Sequence, residues 1–515
     1  KHTLSGSYAT KKWIIRSSSC VMNCDSELAN SSFARSQNRS SYKFEKNWVG
    51  ATINLEDNAE KLKATNTFSA LSQRFIEYGA FVGRGDSTKV YVELGFLQRQ
   101  NDSLQFNTLE RVNHSNSYYL KSQLIKSEKR NLSVYLNYRT LKYEDTAKKD
   151  EPSLNSRVLY SDQFFDQLLQ TTTAYETSSG TIAQQEFTYL QVEPGQGVYM
   201  WNDYNANGIQ ELQEFEVAPY ADLAIYVRVF LPNQVFIRTH QNKFSQSVNL
   251  NFNQWQNETG LKKFASHFYN QTSFLIDRKI LRNADNFNLN PFSNNEEELV
   301  GLNRSFRNSF FYNRGKQKHS TTYSYLVNES QNLLSVGSLS AKNKSHQMQY
   351  QHLAQKSWLL NFAGSSSVSE STSENYPSRN FEINSYRVEP KIGYLFSRNA
   401  SWDIFYEFQQ KENQIGAFET LNQTRLGTSF TFNSEKGFSM NGEFSLYNNI
   451  FNGDTLSAVA FQLLEGLQPG KNQTWRLLLQ KNLTQFLDVN INYQGRNSET
   501  SKTIHTGNVQ LRAFF

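Results

Sequence analysis

The sequence predicts an all-β fold, a large antiparallel transmembrane β-barrel of roughly 18 to 24 strands. Three observations support this prediction. Apolar and polar residues alternate with a period of two in many segments. The chain is polar on average yet rich in aromatic residues. No stretch approaches the ~20 consecutive apolar residues of a transmembrane helix. Because few breaks resemble linkers, we expect one β-domain over residues 1–515.

The alternation places aliphatic and aromatic side chains on one face and polar side chains on the other. The clearest apolar faces are Val90, Val92, Leu94 and Phe96; Leu223, Ile225, Val227, Val229 and Leu231; Trp402, Ile404, Tyr406 and Phe408; and Leu487, Val489, Ile491 and Tyr493. Strands of about ten residues suit a tilted crossing of a bilayer. Charged residues opposite the apolar faces are expected to point into the lumen, namely Arg228, Asp403, Glu407 and Asp488.

The composition agrees with a membrane barrel. Hydrophobic residues make up 38% of the chain and aromatic residues 14%, and the mean hydropathy is −0.65. A barrel with a polar lumen and an apolar outer face has such averages, because the two faces cancel in the mean. The 53 basic and 47 acidic residues are spread along the chain without a basic block, so no nucleic-acid partner is expected.

Other segments give less specific expectations. Cys20 and Cys24 are the only cysteines, and their spacing leaves a local disulfide and two free thiols both open. Residues 16–30 and 367–380 are polar without periodicity and predict loops, while residues 163–169 could form a short helix. Lys1 is not an initiator methionine, so we expect a processed protein or a fragment.

Residues 203–214 match the calcium-loop pattern D-x-[DN]-x-[DN]-G-x5-E at every constrained position. The predicted ligands are Asp203, Asn205, Asn207, Ile209 through its carbonyl, Glu211 and Glu214. A hard Ca²⁺ ion needs this spacing because a coiled loop turns alternate oxygens inward, and Gly208 permits the sharp turn. We expect a structural Ca²⁺ site in an insertion at residues 193–219, which sets the register of the following strand at 222–231. The alternative is an Asn-Gly turn with acidic neighbours.

Catalysis finds little support in the sequence. The eight histidines are scattered, and none lies in a recognisable nucleophile or metal motif. The chain is therefore not expected to be an enzyme.

The run Tyr175-Glu176, Gly180, Tyr189, 192–199, Trp201 and the calcium loop resembles a segment of large, poorly characterised outer-membrane β-barrel proteins of Bacteroidetes, most clearly over residues 165–255. The resemblance implies a surface or translocation-related envelope role. It also implies that the chain is the C-terminal part of a longer protein. The terminal Phe515 resembles the signal that outer-membrane assembly reads, which implies a periplasmic C-terminus.

The function expected from these features is a non-enzymatic scaffold or pore in the bacterial outer membrane, as a subunit of a larger surface-protein assembly or translocation complex. Its expected partners are outer-membrane lipids and surface lipoproteins or other envelope proteins. Two alternatives stay open: a TonB-type nutrient transporter barrel, and a secreted calcium-stabilised β-sandwich adhesin.

Overall fold

The predicted all-β fold class is confirmed by the computed structural model, which describes all residues except 87, 283–286, 294–297, 317, 335–336, 435–436, 485 and 514–515. Within the described residues, 25 strands form an antiparallel sheet in which nearly every strand pairs with its neighbours in the chain. Two of these strands have only three residues, so 23 are long. The order is that of up-and-down membrane barrels.

The first of two compact units comprises Lys1–Ile182, Arg238–Ser247 and Ile276–Leu299. Its strands are β1 (His2–Ala9), β2 (Trp13–Asp25), β3 (Ala29–Phe44), β4 (Asn47–Leu62), β5 (Gln73–Gly85), β6 (Tyr91–Gln105), β7 (Thr108–Lys126), β8 (Arg130–Tyr143) and β9 (Glu151–Phe164). Four strands have residues in both units: β10 (Leu169–Gln191), β13 (Tyr226–Asn251), β14 (Phe268–Leu281) and β15 (Leu299–Tyr312), of which only Leu299 lies in the first unit.

The second unit comprises Ala183–Ile237, Val248–Leu275 and Val300–Phe515. Its strands are β11 (Tyr199–Trp201), β12 (Phe215–Val217), β15 (Leu299–Tyr312), β16 (His319–Leu334), β17 (Gly337–Ala354), β18 (Trp358–Ser373), β19 (Phe381–Ser397), β20 (Ala400–Asn413), β21 (Thr420–Ser434), β22 (Phe438–Asn452), β23 (Gly470–Thr484), β24 (Leu487–Ser498) and β25 (Ile504–Ala513). Its helices are α1 (Leu261–Ala265), α2 (Ala458–Leu464) and four 3-10 turns at Leu212–Glu214, Ala221–Leu223, Phe252–Trp255 and Pro377–Arg379.

The segment at 163–169 is a hairpin turn, so the predicted short helix is wrong. Phe164 pairs with Leu169, and three of the four residues between them, Phe165, Asp166 and Gln167, have φ values of 52°, 52° and 74°. Positive φ at successive residues cannot continue a right-handed helix. It does match the twist of the two strands that the turn connects.

The predicted loop at 16–30 is also wrong, because most of it is strand β2. Polar side chains without an apolar face conceal this strand in the sequence. β2 has a partner on each side, with Cys20 opposite Thr3 of β1 and Arg35 of β3. A strand between two others gains backbone hydrogen bonds on both edges and needs no apolar stripe. Cys20 and Cys24 lie on it as free thiols. The loop predicted at 367–380 is likewise shorter, since β18 continues to Ser373.

Apolar packing is local in the part of the chain that the structure describes. One cluster of buried apolar residues in the second unit joins α2 to the ends of β19 and β21; it contains Ile383, Leu421, Val459, Ala460, Leu463 and Leu464. Another in the first unit contains Trp48, Phe81 and Tyr119. Among the described residues, no helix is long and apolar enough to span a bilayer.

Candidate functional site

The strands of the second unit have an inverted polarity, which is clearest in β20. Trp402, Ile404 and Tyr406 are exposed by 45–46%. On the opposite face, Asp403 and Glu407 are exposed by only 8% and 5%. Soluble proteins bury apolar side chains and almost never bury charged ones unless these are paired. The apolar face of this sheet therefore looks outward, and its charged face is enclosed.

The pairing register of the strands aligns their exposed apolar residues in rows across the sheet. Trp358 of β18, Tyr394 of β19, Trp402 of β20 and Phe430 of β21 lie directly opposite one another and form an aromatic row. Two residues further along the strands, a second row contains Leu360, Ile392, Ile404, Thr428 and Phe444. A third row contains Tyr406, Leu426 and Leu446. Together the rows make an apolar belt with an aromatic edge.

The enclosed face is held by ion pairs. Glu407 accepts a hydrogen bond from Arg387 Nη2 at 2.8 Å and lies 3.4 Å from Arg425 Nη1. Asp403 pairs with Lys391 at 3.0 Å between the nitrogen and oxygen atoms. The prediction that Asp403 and Glu407 point away from the apolar face is confirmed. Asp488 lies on the face of β24 opposite Ile491, also as predicted.

The first unit has a similar enclosed carboxylate. Glu93 is 6% exposed, whereas its neighbours Val92 and Leu94 are exposed. Its Oε2 accepts hydrogen bonds from Arg39 Nη2 at 2.8 Å and from Trp48 Nε1 at 3.0 Å. Such a buried carboxylate is tolerated because its oxygens are hydrogen-bonded.

Residues 192–225 form a folded insertion between β10 and β13, which we call the insertion; the predicted range 193–219 lies within it. Strands β11 and β12 pair in it as a hairpin, with Trp201 opposite Phe215. Phe215 is buried and stacks on Tyr189 with ring centroids 4.0 Å apart. The following strand starts at Tyr226, because Ala221–Leu223 is a 3-10 turn, so the strand predicted at 222–231 begins later.

The predicted calcium loop, residues 203–214, lies between β11 and β12 and ends with the 3-10 turn Leu212–Glu214. Asp203 accepts hydrogen bonds from the amides of Asn207 at 3.1 Å and Gly208 at 2.8 Å. Asn207 Oδ1 accepts one from the amide of Ile209 at 2.6 Å. Gly208 has a φ of +72°, which L side chains rarely adopt, so glycine is needed at this turn.

Glu214 is the enclosed end of this loop. It is 1% exposed, and its Oε2 accepts a hydrogen bond from Trp201 Nε1 at 2.7 Å. Its Oε1 is buried without a hydrogen-bond partner. Glu211 Oε2 instead accepts from Asn205 Nδ2 at 2.7 Å. The described residues contain no group of three or more His, Cys, Asp or Glu side chains gathered around a metal position, so Asp203, Glu211 and Glu214 do not converge.

One anchor ties the insertion to the connection between β18 and β19. Arg379 Nη2 donates to Glu216 Oε1 at 2.7 Å, and its Nη1 donates to the carbonyl of Gln213 at 3.0 Å. Tyr204 also donates to Glu216 Oε1, at 3.3 Å. Burial raises the pKa of Glu216, and the charge of Arg379 offsets only part of this rise. Burial likewise raises the pKa of Tyr204.

A second anchor joins the insertion to β24. Arg496 donates two hydrogen bonds to Asp222, at 2.6 and 2.7 Å, and its guanidinium lies 4.1 Å from the ring centroid of Tyr220. Burial raises the pKa of Tyr220 to about 12. Arg496 is on the face of β24 opposite Tyr493, so the insertion packs on the enclosed face of the sheet. A cavity of about 420 Å³ lies between the insertion and the β22–β23 and β24–β25 connections.

Sequence reasoning missed both anchoring arginines. Arg379 is 163 residues from Glu216, and Arg496 is 274 residues from Asp222. Neither arginine belongs to a motif, and no local spacing relates it to the insertion. Arg228, predicted to point into the lumen, lies next to the insertion with its guanidinium 5.9 Å from the ring centroid of Tyr199.

Comparisons with known proteins give distant similarities. No protein-family model and no curated protein matches the chain. Among solved structures, the chain is similar to the ferric-catecholate import receptor Fiu of Escherichia coli K12 (TM-score 0.35, 9% identity, covering 95% of this chain and 78% of that one). It is also similar to the siderophore receptor PirA of Acinetobacter baumannii (0.35, 9%, 95% and 76%) and the FrpB iron transporter of Neisseria meningitidis (0.35, 8%, 98% and 82%). No family membership follows from these values.

Proposed function

We propose that the chain is a β-barrel of a bacterial outer membrane that passes a solute across it, with the insertion partly filling the route. This proposal is closest to the transporter barrel that the sequence analysis left open as an alternative. The observation that carries the proposal is the inverted polarity of β18–β22, in which apolar side chains are exposed and charged side chains are enclosed.

Lipid contact explains the exposed face. From Trp402 to Phe408 the exposed residues span about 20 Å along the strand, at roughly 3.3 Å per residue. This length is close to the apolar band of membrane barrels, which is ~25 Å tall and edged by aromatic girdles. The row of Trp358, Tyr394, Trp402 and Phe430 supplies such an edge. A soluble β-sandwich adhesin would instead bury these side chains between two sheets.

A transport route explains the enclosed face. Barrels of about 22 strands enclose a lumen too wide for side chains to fill, and outer-membrane transporters of this size carry a plug. The 23 long strands among the described residues are in this range. The insertion lies on the enclosed face, and Arg379 and Arg496 hold it there by three short hydrogen bonds to carboxylates. It therefore narrows the lumen in our proposal.

The lengths of the connections from β17 to β25 support an orientation. The connections at one end of these strands are short: residues 355–357 (β17–β18), 398–399 (β19–β20), 435–437 (β21–β22) and 485–486 (β23–β24). The connections at the other end are longer: residues 374–380 (β18–β19), 414–419 (β20–β21), 453–469 (β22–β23) and 499–503 (β24–β25). Membrane barrels have short periplasmic turns and longer extracellular loops. We therefore propose that the insertion faces the cell exterior. The C-terminal end of β25 is then periplasmic; Phe515 itself lies outside the described residues.

Fractionation and conductance test the proposal together. The full-length protein should sediment with outer membranes and should form channels of low conductance in planar bilayers. Replacing Arg379 and Arg496 together by Ala should release the insertion and raise the conductance, while the exposed change Glu193→Gln in the same insertion should not. A soluble protein would refute the membrane location. Unchanged conductance in the double variant would refute the plugging role.

The scaffold expectation stays a prediction, as do surface lipoproteins or other envelope proteins as partners and the absence of enzymatic activity. Co-purification on an affinity tag in mild detergent distinguishes a scaffold from a transporter. Stoichiometric recovery of envelope proteins would favour the scaffold, whereas recovery of the chain alone would favour transport.

A further inference from the structure

We propose that residues 203–214 bind one Ca²⁺ ion through Glu214 and the polar loop residues, and that this ion pins the insertion in place. The proposal concerns binding and local order, and it does not depend on transport. Its basis is a buried carboxylate oxygen without a partner, at the end of a loop whose sequence has calcium-ligand spacing.

Glu214 Oε1 is the observation that points to a cation. Its side chain is almost fully enclosed, and Oε2 already accepts the hydrogen bond from Trp201. A buried carboxylate oxygen without a partner is costly, because desolvation is not compensated. A cation contacting Oε1 removes this cost. Because the ligand atoms that the loop residues offer are carboxylate, amide and carbonyl oxygens, a hard ion such as Ca²⁺ fits better than a transition metal.

The rest of the loop supplies further oxygens. Asp203, Asn205 and Asn207 each accept a backbone hydrogen bond within the loop, and an oxygen that accepts one such bond keeps a second lone pair. Ile209 contributes its carbonyl. Glu211 stays outside this set, because its Oε2 accepts hydrogen bonds from Asn205 and Gln213 and its carboxylate does not gather with those of Asp203 and Glu214. Two of the side-chain ligands are neutral amides. Fewer carboxylates weaken calcium binding, so we expect a dissociation constant in the range of roughly 10⁻⁴–10⁻³ M found for extracellular modules.

The position of Glu214 explains why an ion there would order the insertion. Arg379 contacts the carbonyl of Gln213 and the carboxylate of Glu216, which flank Glu214 on both sides. The Glu214 carbonyl also accepts a hydrogen bond from the amide of Asn202 at 2.9 Å, which closes the hairpin. The ion and Arg379 would thus fix the same short segment, one from the loop and one from the strand connection.

Terbium luminescence tests the binding site. Tb³⁺ replaces Ca²⁺ in oxygen sites and is excited by a nearby indole, and the Trp201 ring nitrogen is bonded to the Glu214 carboxylate. We expect emission from the native full-length protein that Ca²⁺ abolishes by competition, and that Trp201→Phe strongly reduces. Glu214→Gln should weaken binding by roughly tenfold or more, because it removes the enclosed charge. Glu193→Gln is the matched control, since it makes the same change at an exposed site outside the loop.

Hydrogen exchange tests the pinning. Calcium should slow amide exchange over residues 199–217 in the native protein and in Glu193→Gln, but not in Glu214→Gln. Native affinity for Tb³⁺ in Glu214→Gln, with the same elution volume as the native protein, would overturn the site. Binding without any change in exchange would overturn the pinning. Neither measurement uses conductance, so either result is separate from the test of transport.

Discussion

Leu426→Arg distinguishes a lipid-facing sheet from a water-facing one. Leu426 is 50% exposed and lies between Tyr406 and Leu446 in the third row of the apolar belt. This row is four residues from the aromatic row, about 13 Å along the strand. It is therefore near the middle of an apolar band ~25 Å tall. An arginine placed there must leave water for hydrocarbon when the protein folds.

The expected cost follows from that position. Arginine at the bilayer midplane destabilises a membrane barrel by about 2–4 kcal/mol. The ratio of folded to unfolded protein then falls by a factor of roughly 30 to 1,000. On a water-facing sheet the same substitution changes the free energy of unfolding by only about 0.5 kcal/mol or less. The two cases differ by more than the error of a denaturant titration.

The assay is reversible urea unfolding from phosphocholine vesicles, followed by tryptophan fluorescence. Leu426→Gln separates the loss of apolar contact from the cost of charge. Gln409→Arg is the matched control on the enclosed face, where Gln409 lies opposite Gln423 and close to Glu407. We expect this control to stay within about 1 kcal/mol of the native protein, because the new charge gains partners. Equal stability of Leu426→Arg and the native protein would refute lipid contact.

Three further changes have defined outcomes. A Cβ atom at Gly427 would lie 2.2 Å from Phe405 Cζ, so Gly427→Ala should cost about 1–3 kcal/mol in urea unfolding. Gly442→Ala should be nearly neutral, because the nearest atom to its added Cβ, Leu477 Cδ1, is 3.8 Å away. Glu407→Gln removes the charge shared by two arginines and should lower the free energy of unfolding by about 1.5–3 kcal/mol; a smaller effect would mean that water enters this face. Because burial raises the pKa of Glu216, its contribution to stability is present at low pH and is lost as pH rises through that pKa. The stability of the native protein relative to Glu216→Gln should therefore fall as the pH rises from the ordinary carboxyl pKa through the raised pKa of Glu216, and a rising difference would contradict the direction of the shift.

Period-two alternation was enough to predict the sheet where one face is apolar. β20 is an example, because Trp402 to Phe408 alternate with Asp403 and Glu407 and the structure separates the two sets as expected. The same rule failed for β2, where apolar and polar residues are mixed on both faces and the strand is stabilised by its neighbours. Hydrogen bonds between backbones carry no side-chain signature, so such a strand cannot be distinguished from a loop by its sequence.

The candidate loop was predictable for a different reason. Its turn depends on residues a few positions apart, and Gly208 with its positive φ lies where the spacing requires it. The environment of Glu214 was not predictable, because its burial depends on how the β11–β12 hairpin packs. The anchors were beyond sequence reasoning as well. Arg379 and Arg496 approach the insertion only after many strands have paired, and nothing in the sequence distinguishes them from the other arginines of the chain.

The location of the charges connects the fold to the proposed role. An ion pair on an exposed surface contributes little, but a pair on an enclosed face must be complete, because a single partner left alone is costly. Glu216 is buried and Asp222 is half-buried, so withdrawing the insertion would leave Arg379 and Arg496 without their carboxylates. Withdrawing the insertion therefore costs free energy unless water enters the lumen and hydrates the charges that are left unpaired. In our proposal, a solute route that opens by withdrawing the insertion must therefore hydrate these two arginines.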